Sequence, residues 1–181
     1  VLWVGRLNAN KDPLTVLAGV SAALGKLPQL QLWCCFGSAP LLPMVKARID
    51  HAPELRDRVH LLGRVPHAHV EQLMRAADLF VLGSHRESTS FAAIEALATG
   101  LTPVVTDIPS LRALTGNGSV GKLWPCGDWG ALSVALSSAA AELTPNTRAT
   151  VRAHFYAELS SAALGRKLAA AYDEIAAPVA T

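Results

Sequence analysis

Charged side chains in two separate stretches of the sequence have the chemistry to bind a phosphorylated ligand. Arg6 and Lys11 bracket the first stretch, and Glu87 and Glu95 lie in the second. A diphosphate needs fixed cations, which arginine supplies as a planar fork and lysine as a point charge. Carboxylates accept hydrogen bonds from sugar hydroxyls. The residue types favour a ligand with both groups, provided that the fold brings the two stretches together.

Each of these side chains also has an ordinary structural explanation. Two cations in one loop are more often solvated surface groups. Glu87 precedes the hydroxyl-rich segment 88–90, where a negative charge would simply complement the dipole of a following helix. Glu95 is equally a helix-favouring residue whose carboxylate reaches water through a gap. Their position in the fold decides between these explanations.

Short apolar runs that alternate with helical patterns predict the elements that position these side chains. Strands are predicted at Leu2–Val4, Leu30–Phe36, Val59–Leu62, Leu79–Leu82, Pro103–Thr106 and Lys122–Trp124. Helices are predicted at Pro13–Leu27, Leu41–His51, His67–Ala77, Phe91–Thr99, Ser110–Leu114, Trp129–Leu143, Asn146–Tyr156 and Glu158–Ala176. Continuous apolar strands are buried on both faces, as in a parallel sheet. The pattern predicts one α/β domain over residues 1–181, a Rossmann-like doubly wound parallel sheet of about six strands with helices on both faces.

The predicted topology gives the charged stretches a common location. In a doubly wound sheet, ligands bind beyond the carboxyl ends of the strands, at the point where the strand order reverses. For the order 3-2-1-4-5-6 that crevice lies between strands 1 and 4. The loops after Val4 and Leu82 are the ones that meet there, and they contain Arg6, Lys11 and Glu87. This shared location favours a binding site over scattered surface charge.

The helix predicted at Phe91–Thr99 has Glu95 as its only charge, with apolar residues on one face and mostly alanine on the other. The helix is therefore predicted to be buried nearly all round. A buried carboxylate is costly unless it is hydrogen-bonded, and paired ribose hydroxyls are suitable donors. Free backbone N–H groups at the helix N-terminus favour a phosphate.

The overall composition excludes several function classes. The 181 residues are 51% hydrophobic and 17% charged, which is typical of a soluble globular domain. A net charge of +2 with scattered cations does not predict nucleic-acid binding, and no apolar run approaches the roughly 20 residues of a membrane span. Cys34, Cys35 and Cys126 have no metal-ligand spacing, which predicts no metal site and a reduced, cytoplasmic protein. The chain opens without methionine inside a predicted strand, so we expect a piece of a longer protein.

Short motifs follow one another in order over the first three quarters of the chain. They are Gly5-Arg6-Leu7 with Lys11, Leu62-Gly63-Arg64-Val65, Ala76-Ala77-Asp78-Leu79-Phe80-Val81, Glu87 with Glu95-Ala96 through Pro103-Val104-Val105, and Gly121-Lys122-Leu123 with Gly127-Asp128. The ordered set resembles the GRL-x3-K, LG-x-V, AD-x-F-V, E-x7-E and G-x-L…GD motifs of the family 4 (group 1) retaining glycosyltransferases of the GT-B fold.

The resemblance implies a role for each matching residue. Arg6 and Lys11 would hold the donor diphosphate, Glu95 would bind the ribose hydroxyls, and Glu87 would engage the donor sugar and stabilise charge at the anomeric carbon. Glu87, Arg6 and Lys11 would thus act in catalysis. Backbone groups would contact the phosphate or sugar and the base. The implied donor-binding set is Gly5, Arg6, Lys11, Gly37, Arg64, Val65, Glu87, Ser90, Phe91 and Glu95.

The resemblance also implies a partner domain and a substrate. The chain would be the C-terminal half of a GT-B enzyme that binds a UDP- or GDP-sugar and requires no metal or other cofactor. The acceptor, a glycan, lipid or small molecule, would bind an N-terminal domain outside the chain, and the tail helix at 158–176 would pack toward that domain. Any membrane association would come only from those other parts, and the isolated chain would be inactive.

Departures from the motifs leave the donor sugar open. Ser88-Thr89-Ser90 replaces the usual glycine-rich stretch, and Gly83 stands where the family often has proline. A nucleotide-sugar 2-epimerase of the same fold and a non-catalytic nucleotide-sugar-binding domain remain alternatives. A dehydrogenase-type dinucleotide domain is disfavoured, because the GxGxxG match at 116–121 neither follows a clear strand nor opens a clear helix.

Overall fold

A six-stranded parallel sheet organises residues 1–176, the part of the chain that the computed structural model describes. Its strands are β1 (Leu2–Val4), β2 (Leu32–Cys35), β3 (Val59–Gly63), β4 (Leu79–Leu82), β5 (Thr102–Thr106) and β6 (Lys122–Trp124). The strand order is β3-β2-β1-β4-β5-β6, and every neighbouring pair is parallel. The predicted doubly wound topology, with its reversal between β1 and β4, is confirmed.

Helices cover both faces of the sheet. They are α1 (Pro13–Ala23), α2 (Leu42–Asp50), α3 (Pro53–Arg56), α4 (His67–Ala76), α5 (Phe91–Thr99), α6 (Pro109–Leu114), α7 (Trp129–Ala141), α8 (Thr147–Glu158) and α9 (Ser161–Ala176). Residues of α1, α2 and α7 share one apolar cluster with alternate strand residues such as Trp3 and Val81. Residues of α4, α5 and α6 share a second cluster with strand residues such as Leu2 and Phe80. Alternate strand side chains thus build one core on each face.

The helices α1 and α7 approach each other very closely at Gly19. A Cβ atom at this position would lie 2.5 Å from Cδ2 and 2.7 Å from Cγ of Leu132. Glycine therefore permits a helix contact that any larger residue would push apart.

The predicted tail helix is wrong at its start. The chain breaks its helical path after Glu158, where α8 ends, and resumes at Ser161. The Ser160 hydroxyl accepts a hydrogen bond from the backbone N–H of Ala163 at 3.2 Å, so it caps the new helix. The α9 helix contacts α8 and leaves an apolar stripe exposed at Leu164, Leu168, Tyr172 and Ile175. Its packing toward another domain stays a prediction.

No helix among residues 1–176 combines the length and the apolar composition that a membrane crossing requires.

Candidate functional site

A cleft of about 370 Å³ lies beyond the carboxyl ends of β1 and β4, at the reversal of strand order. Every residue of the predicted donor-binding set except Glu95 lines it. These residues are Gly5, Arg6, Lys11, Gly37, Arg64, Val65, Glu87, Ser90 and Phe91. The fold therefore brings the two charged stretches to one place, as the topology predicts.

Lys11 and Glu87 form an ion pair across this cleft although they are 76 residues apart in the chain. The Lys11 ammonium contacts Oε1 of Glu87, and the Ser84 hydroxyl donates to the same oxygen at 2.7 Å. The exposed fractions of the Lys11 and Glu87 side chains are only 16% and 11%. An ion pair this sheltered from water is screened less than a surface pair.

The loop after β1 gives Lys11 its direction. Residues Ala9–Lys11 form a 3-10 turn that Asn8 caps, its side chain accepting from the Lys11 backbone N–H at 3.0 Å. Asp12 then takes the left-handed conformation, with φ of 46°, and its carboxylate accepts from the Thr15 N–H at 3.3 Å to cap α1. The tight turn before α1 thus points the lysine toward the strand ends.

Asn10 ties the loop after β1 to the loop after β4. Its side-chain amide donates to the Arg86 carbonyl at 2.9 Å and accepts from the Arg86 N–H at 3.1 Å. The Asn10 carbonyl accepts from the His85 N–H at 2.8 Å, and the His85 ring lies 3.0 Å from an Asp12 carboxylate oxygen. The sequence does not predict this contact, because no motif or residue spacing relates the Asn10 side chain to the backbone of Arg86, 76 residues away.

Gly83 allows the two loops to approach. A Cβ atom there would lie 3.0 Å from both the Lys11 carbonyl oxygen and Cγ2 of Val16. Position 83 is often proline in the family pattern, and glycine here avoids this crowding at the end of β4.

Arg6 lies exposed at the rim of the cleft. Within residues 1–176, no carboxylate lies within 4.0 Å of its guanidinium. Its positive charge is thus open to an anionic ligand.

The prediction that α5 is buried nearly all round is wrong. Only Ala93, Ala96 and Leu97 are buried among its residues, and Phe91 is 74% exposed. The Glu95 side chain is 41% exposed and lies 3.9 Å from the His67 ring. It lines a smaller neighbouring cleft of about 210 Å³ between α4 and α5 rather than the main one. The alanine-rich face does not indicate burial here, because small residues also occur where a neighbouring helix leaves a gap, as between α4 and α5.

The N-terminus of α5 opens on the main cleft. Ser90 precedes the helix and its side chain forms no capping hydrogen bond, although the residue is only 3% exposed. The first N–H groups of a helix have no partner within it, and they attract anions. Ser90 and Phe91 both line the cleft at this point.

Two adjacent cysteines of β2 are buried, and one of them, Cys35, lines the cleft. Burial raises the pKa of Cys35, and it raises the pKa of Cys34 to about 12. Both thiols therefore stay protonated at neutral pH and are poor nucleophiles.

A larger cleft of about 570 Å³ lies at the opposite edge of the sheet, at the amino ends of β1 and β4. Its lining is mainly apolar and includes Leu27, Trp33 and Leu73. The main cleft is the better candidate for a polar ligand, because Arg6, Lys11 and Glu87 converge there.

A family match covers the part of the chain that forms this cleft. The sequence model of the family described as "Glycosyl transferases group 1" matches residues 1–142. The chain belongs to the group 1 glycosyltransferases. The match covers all of the elements that line the main cleft.

Several curated glycosyltransferases and a synthase are similar to this group 1 domain. A GDP-mannose:cellobiosyl-diphosphopolyprenol alpha-mannosyltransferase of Xanthomonas oryzae pv. oryzae is 31% identical over 67% of the chain and 32% of its own length. A mannosylfructose-phosphate synthase of Agrobacterium fabrum is 34% identical over 59% of the chain and 25% of its own length. A phosphatidyl-myo-inositol mannosyltransferase of Mycobacterium leprae is 30% identical over 75% of the chain and 36% of its own length. The chain spans about a third of the length of these relatives.

Solved glycosyltransferases share the fold of this group 1 domain. The pneumococcal O-GlcNAc transferase GtfA, solved with UDP and GlcNAc, superposes with a TM-score of 0.76 at 18% identity over 97% of the chain and 36% of GtfA. Sucrose-phosphate synthase of Thermosynechococcus elongatus superposes with a TM-score of 0.75 at 22% identity, over 96% of the chain and 45% of the synthase. The Rossmann-like fold of GT-B glycosyltransferases is confirmed.

Metal-binding clusters do not occur in the described part of this domain. Among residues 1–176, no three His, Cys, Asp or Glu side chains are grouped so that they could hold a metal ion.

Proposed function

We propose that the main cleft binds a nucleoside-diphosphate sugar, which the glycosyltransferase uses as its donor. The observation that carries this proposal is the meeting of Lys11 and Glu87 beside the open N-terminus of α5. A cation and helix amides suit a diphosphate, and a carboxylate suits sugar hydroxyls. Relatives whose names include GDP-mannose, and a neighbour solved with UDP, are consistent with such a donor.

The diphosphate lies between the two cations and α5 in this proposal. Lys11 and Arg6 neutralise the phosphate charge, and the backbone amides of Ser90 and Phe91 donate to phosphate or sugar oxygens. Gly5 and Gly37 line the same part of the cleft without side chains that would block the ligand. The base contacts the backbone near Arg64 and Val65, which also line the cleft.

The ribose hydroxyls are assigned to Glu95. Val65 lines the main cleft, while His67, two residues further on, lines the smaller cleft with Glu95. The ribose would therefore lie where the two clefts adjoin, and its hydroxyls would replace the long contact of 3.9 Å between Glu95 and His67.

The chemistry assigned to this domain is electrostatic. The bond between the anomeric carbon and the diphosphate oxygen breaks, and Lys11 and Arg6 stabilise the charge that develops on the departing nucleoside diphosphate. Glu87 stabilises positive charge at the anomeric carbon. The new bond to the acceptor oxygen forms on the same face of the sugar while the acceptor hydroxyl gives its proton to the departing diphosphate oxygen. The configuration is therefore retained without a protein nucleophile from this domain.

The acceptor site is assigned to a second domain. The curated relatives are about three times as long as the matched region, which leaves room for one. We expect the chain by itself to bind the donor weakly and to transfer no sugar, and we place the protein in the cytoplasm.

Calorimetry with UDP and GDP tests the donor site. We expect the protein to bind one of them, and Arg6→Ala and Lys11→Ala each to weaken binding about tenfold or more, since a hydrogen bond to a charged group contributes about 1.5–3 kcal/mol. Lys46→Ala, an exposed cation on α2, is the control and should bind like the wild type. No binding by the wild type, or unchanged binding in both cleft variants, would refute the proposal.

A further inference from the structure

Two buried hydroxyl groups lie behind the Glu87 carboxylate. Thr106, the last residue of β5, and Ser84, in the loop after β4, are both 0% exposed. The Thr106 hydroxyl donates to the Ser84 carbonyl oxygen at 2.5 Å, and the Ser84 hydroxyl donates to Oε1 of Glu87 at 2.7 Å. A series of hydrogen bonds therefore connects the sheet interior to the cleft.

The contacts on Glu87 fall on one of its two carboxylate oxygens. Both Lys11 and Ser84 donate to Oε1. Within residues 1–176, no hydrogen bond reaches Oε2. A carboxylate oxygen offers about two lone pairs, so Oε1 is fully used while Oε2 keeps its capacity. Oε2 is thus the atom that can accept a hydrogen bond from a ligand hydroxyl.

The backbone that leads to Glu87 is held at successive residues. Thr106 holds the Ser84 carbonyl, and the Cys126 thiol lies 3.7 Å from the same oxygen. Asn10 holds the backbone of residues 85 and 86 through their N–H groups, at 2.8 and 3.1 Å. These contacts together fix the loop immediately before the carboxylate.

We propose that Thr106 and Ser84 are positioning residues that direct Oε2 of Glu87 toward the donor sugar. This inference rests on the proposed function, because it requires that the cleft bind a nucleotide sugar. Thr106 does not contact Glu87 and acts through Ser84. Loss of its hydroxyl should therefore misalign the sugar contact while the nucleotide contacts of other residues persist.

The test compares affinities with and without the sugar. Calorimetry on the intact protein gives the ratio of dissociation constants for UDP and UDP-glucose, or for GDP and GDP-mannose. Thr106→Val, which keeps the shape of the side chain, and Ser84→Ala should each change this ratio against the sugar about tenfold, the effect of one lost hydrogen bond to a charged group. Affinity for the nucleoside diphosphate alone should stay within about twofold.

Matched variants separate positioning from general loosening. Thr106→Ser keeps the hydroxyl and should preserve the ratio, as should Thr102→Val at the other end of β5. Glu87→Gln should change the ratio by itself, and adding Thr106→Val to it should cause no further change, because both act on one contact.

Distinct results overturn the inference and the proposed function. An additive effect in the double variant, or equal loss for nucleotide and nucleotide sugar, would show that Thr106 acts elsewhere. A changed ratio in Glu87→Gln with unchanged ratios in Thr106→Val and Ser84→Ala would overturn the inference alone. An unaffected ratio in Glu87→Gln would also overturn the inference, because Glu87 would then make no contact with the sugar. A wild-type protein that binds neither nucleotide would overturn the proposed function and the inference with it.

Discussion

Lys11 has two roles, one in stability and one in the proposed binding. In the fold it balances the charge of Glu87, whose side chain is only 11% exposed. In the proposed complex it also faces a diphosphate. Removing the lysine therefore leaves a sheltered carboxylate with the Ser84 hydroxyl as its remaining partner among the described residues.

We predict that Lys11→Met destabilises the fold. A sheltered carboxylate that loses its charged hydrogen-bond partner destabilises the fold by about 1–3 kcal/mol, so the free energy of unfolding in urea should fall by that order. Adding Glu87→Gln removes the unbalanced charge and should recover most of the loss. A single variant as stable as the wild type would contradict the importance of this ion pair.

The sequence predicted that Arg6, Lys11 and Glu87, charged residues of two separate loops, lie close together. All three line the main cleft, because the topology brings those loops to the same place. The sequence did not predict roles for Asn10, Ser84 and Thr106. Their contacts are to backbone atoms or sheltered side chains and depend on distances that only the structure provides. The sequence predicted a buried Glu95, but its side chain lies on a partly exposed side of α5 and is 41% exposed.

At the scale of elements, the alternation of apolar runs and helical patterns predicted all six strands and their order. The strands are nearly continuous apolar runs, and this leaves few alternatives to a parallel sheet. Boundaries were less well predicted. The short helix α3 at Pro53–Arg56 and the break before Ser161 depend on local caps and turns that apolar periodicity does not report.

We predict that Gly19→Ala lowers stability although alanine favours helices. The new Cβ would come within 2.5 Å of a Leu132 carbon, and overpacking of this kind costs about 1–3 kcal/mol, more than the gain of up to about 1 kcal/mol in helix propensity. Gly165→Ala is the matched control, because a Cβ atom added there on α9 would have no neighbouring atom within 4 Å. Thermal unfolding should show a lower Tm for the first variant only; an unchanged Tm for Gly19→Ala would contradict the close helix contact.

At the scale of the whole molecule, the three thiols differ in accessibility. Cys126 is exposed, whereas Cys34 and Cys35 are buried. Burial raises the pKa of Cys126 as well. A raised pKa lowers the thiolate fraction at a given pH and so slows alkylation.

We predict that iodoacetamide labels one cysteine of this chain in the native protein. Mass spectrometry should locate the label at Cys126, with a rate that rises with pH beyond the range of an ordinary thiol. Cys34 and Cys35 should react only after unfolding. Native labelling of Cys34 at a similar rate would contradict the packing of β2.

The main cleft lies in the part of the chain that matches the family model. The cleft, its loops and the sheet all lie within the region that matches the group 1 family, while α9 lies beyond that region. The cleft is therefore the part of the molecule that its relatives share, and α9, with its exposed apolar stripe, lies in the part that the family model does not match.

A crystal structure of the protein with UDP or GDP would test the proposed donor site most directly. We expect the diphosphate within hydrogen-bonding distance of the Lys11 ammonium and the Phe91 amide, with the base beside Arg64 and Val65. A nucleotide bound instead in the apolar cleft at the amino ends of the strands, near Trp33 and Leu73, would contradict the assignment.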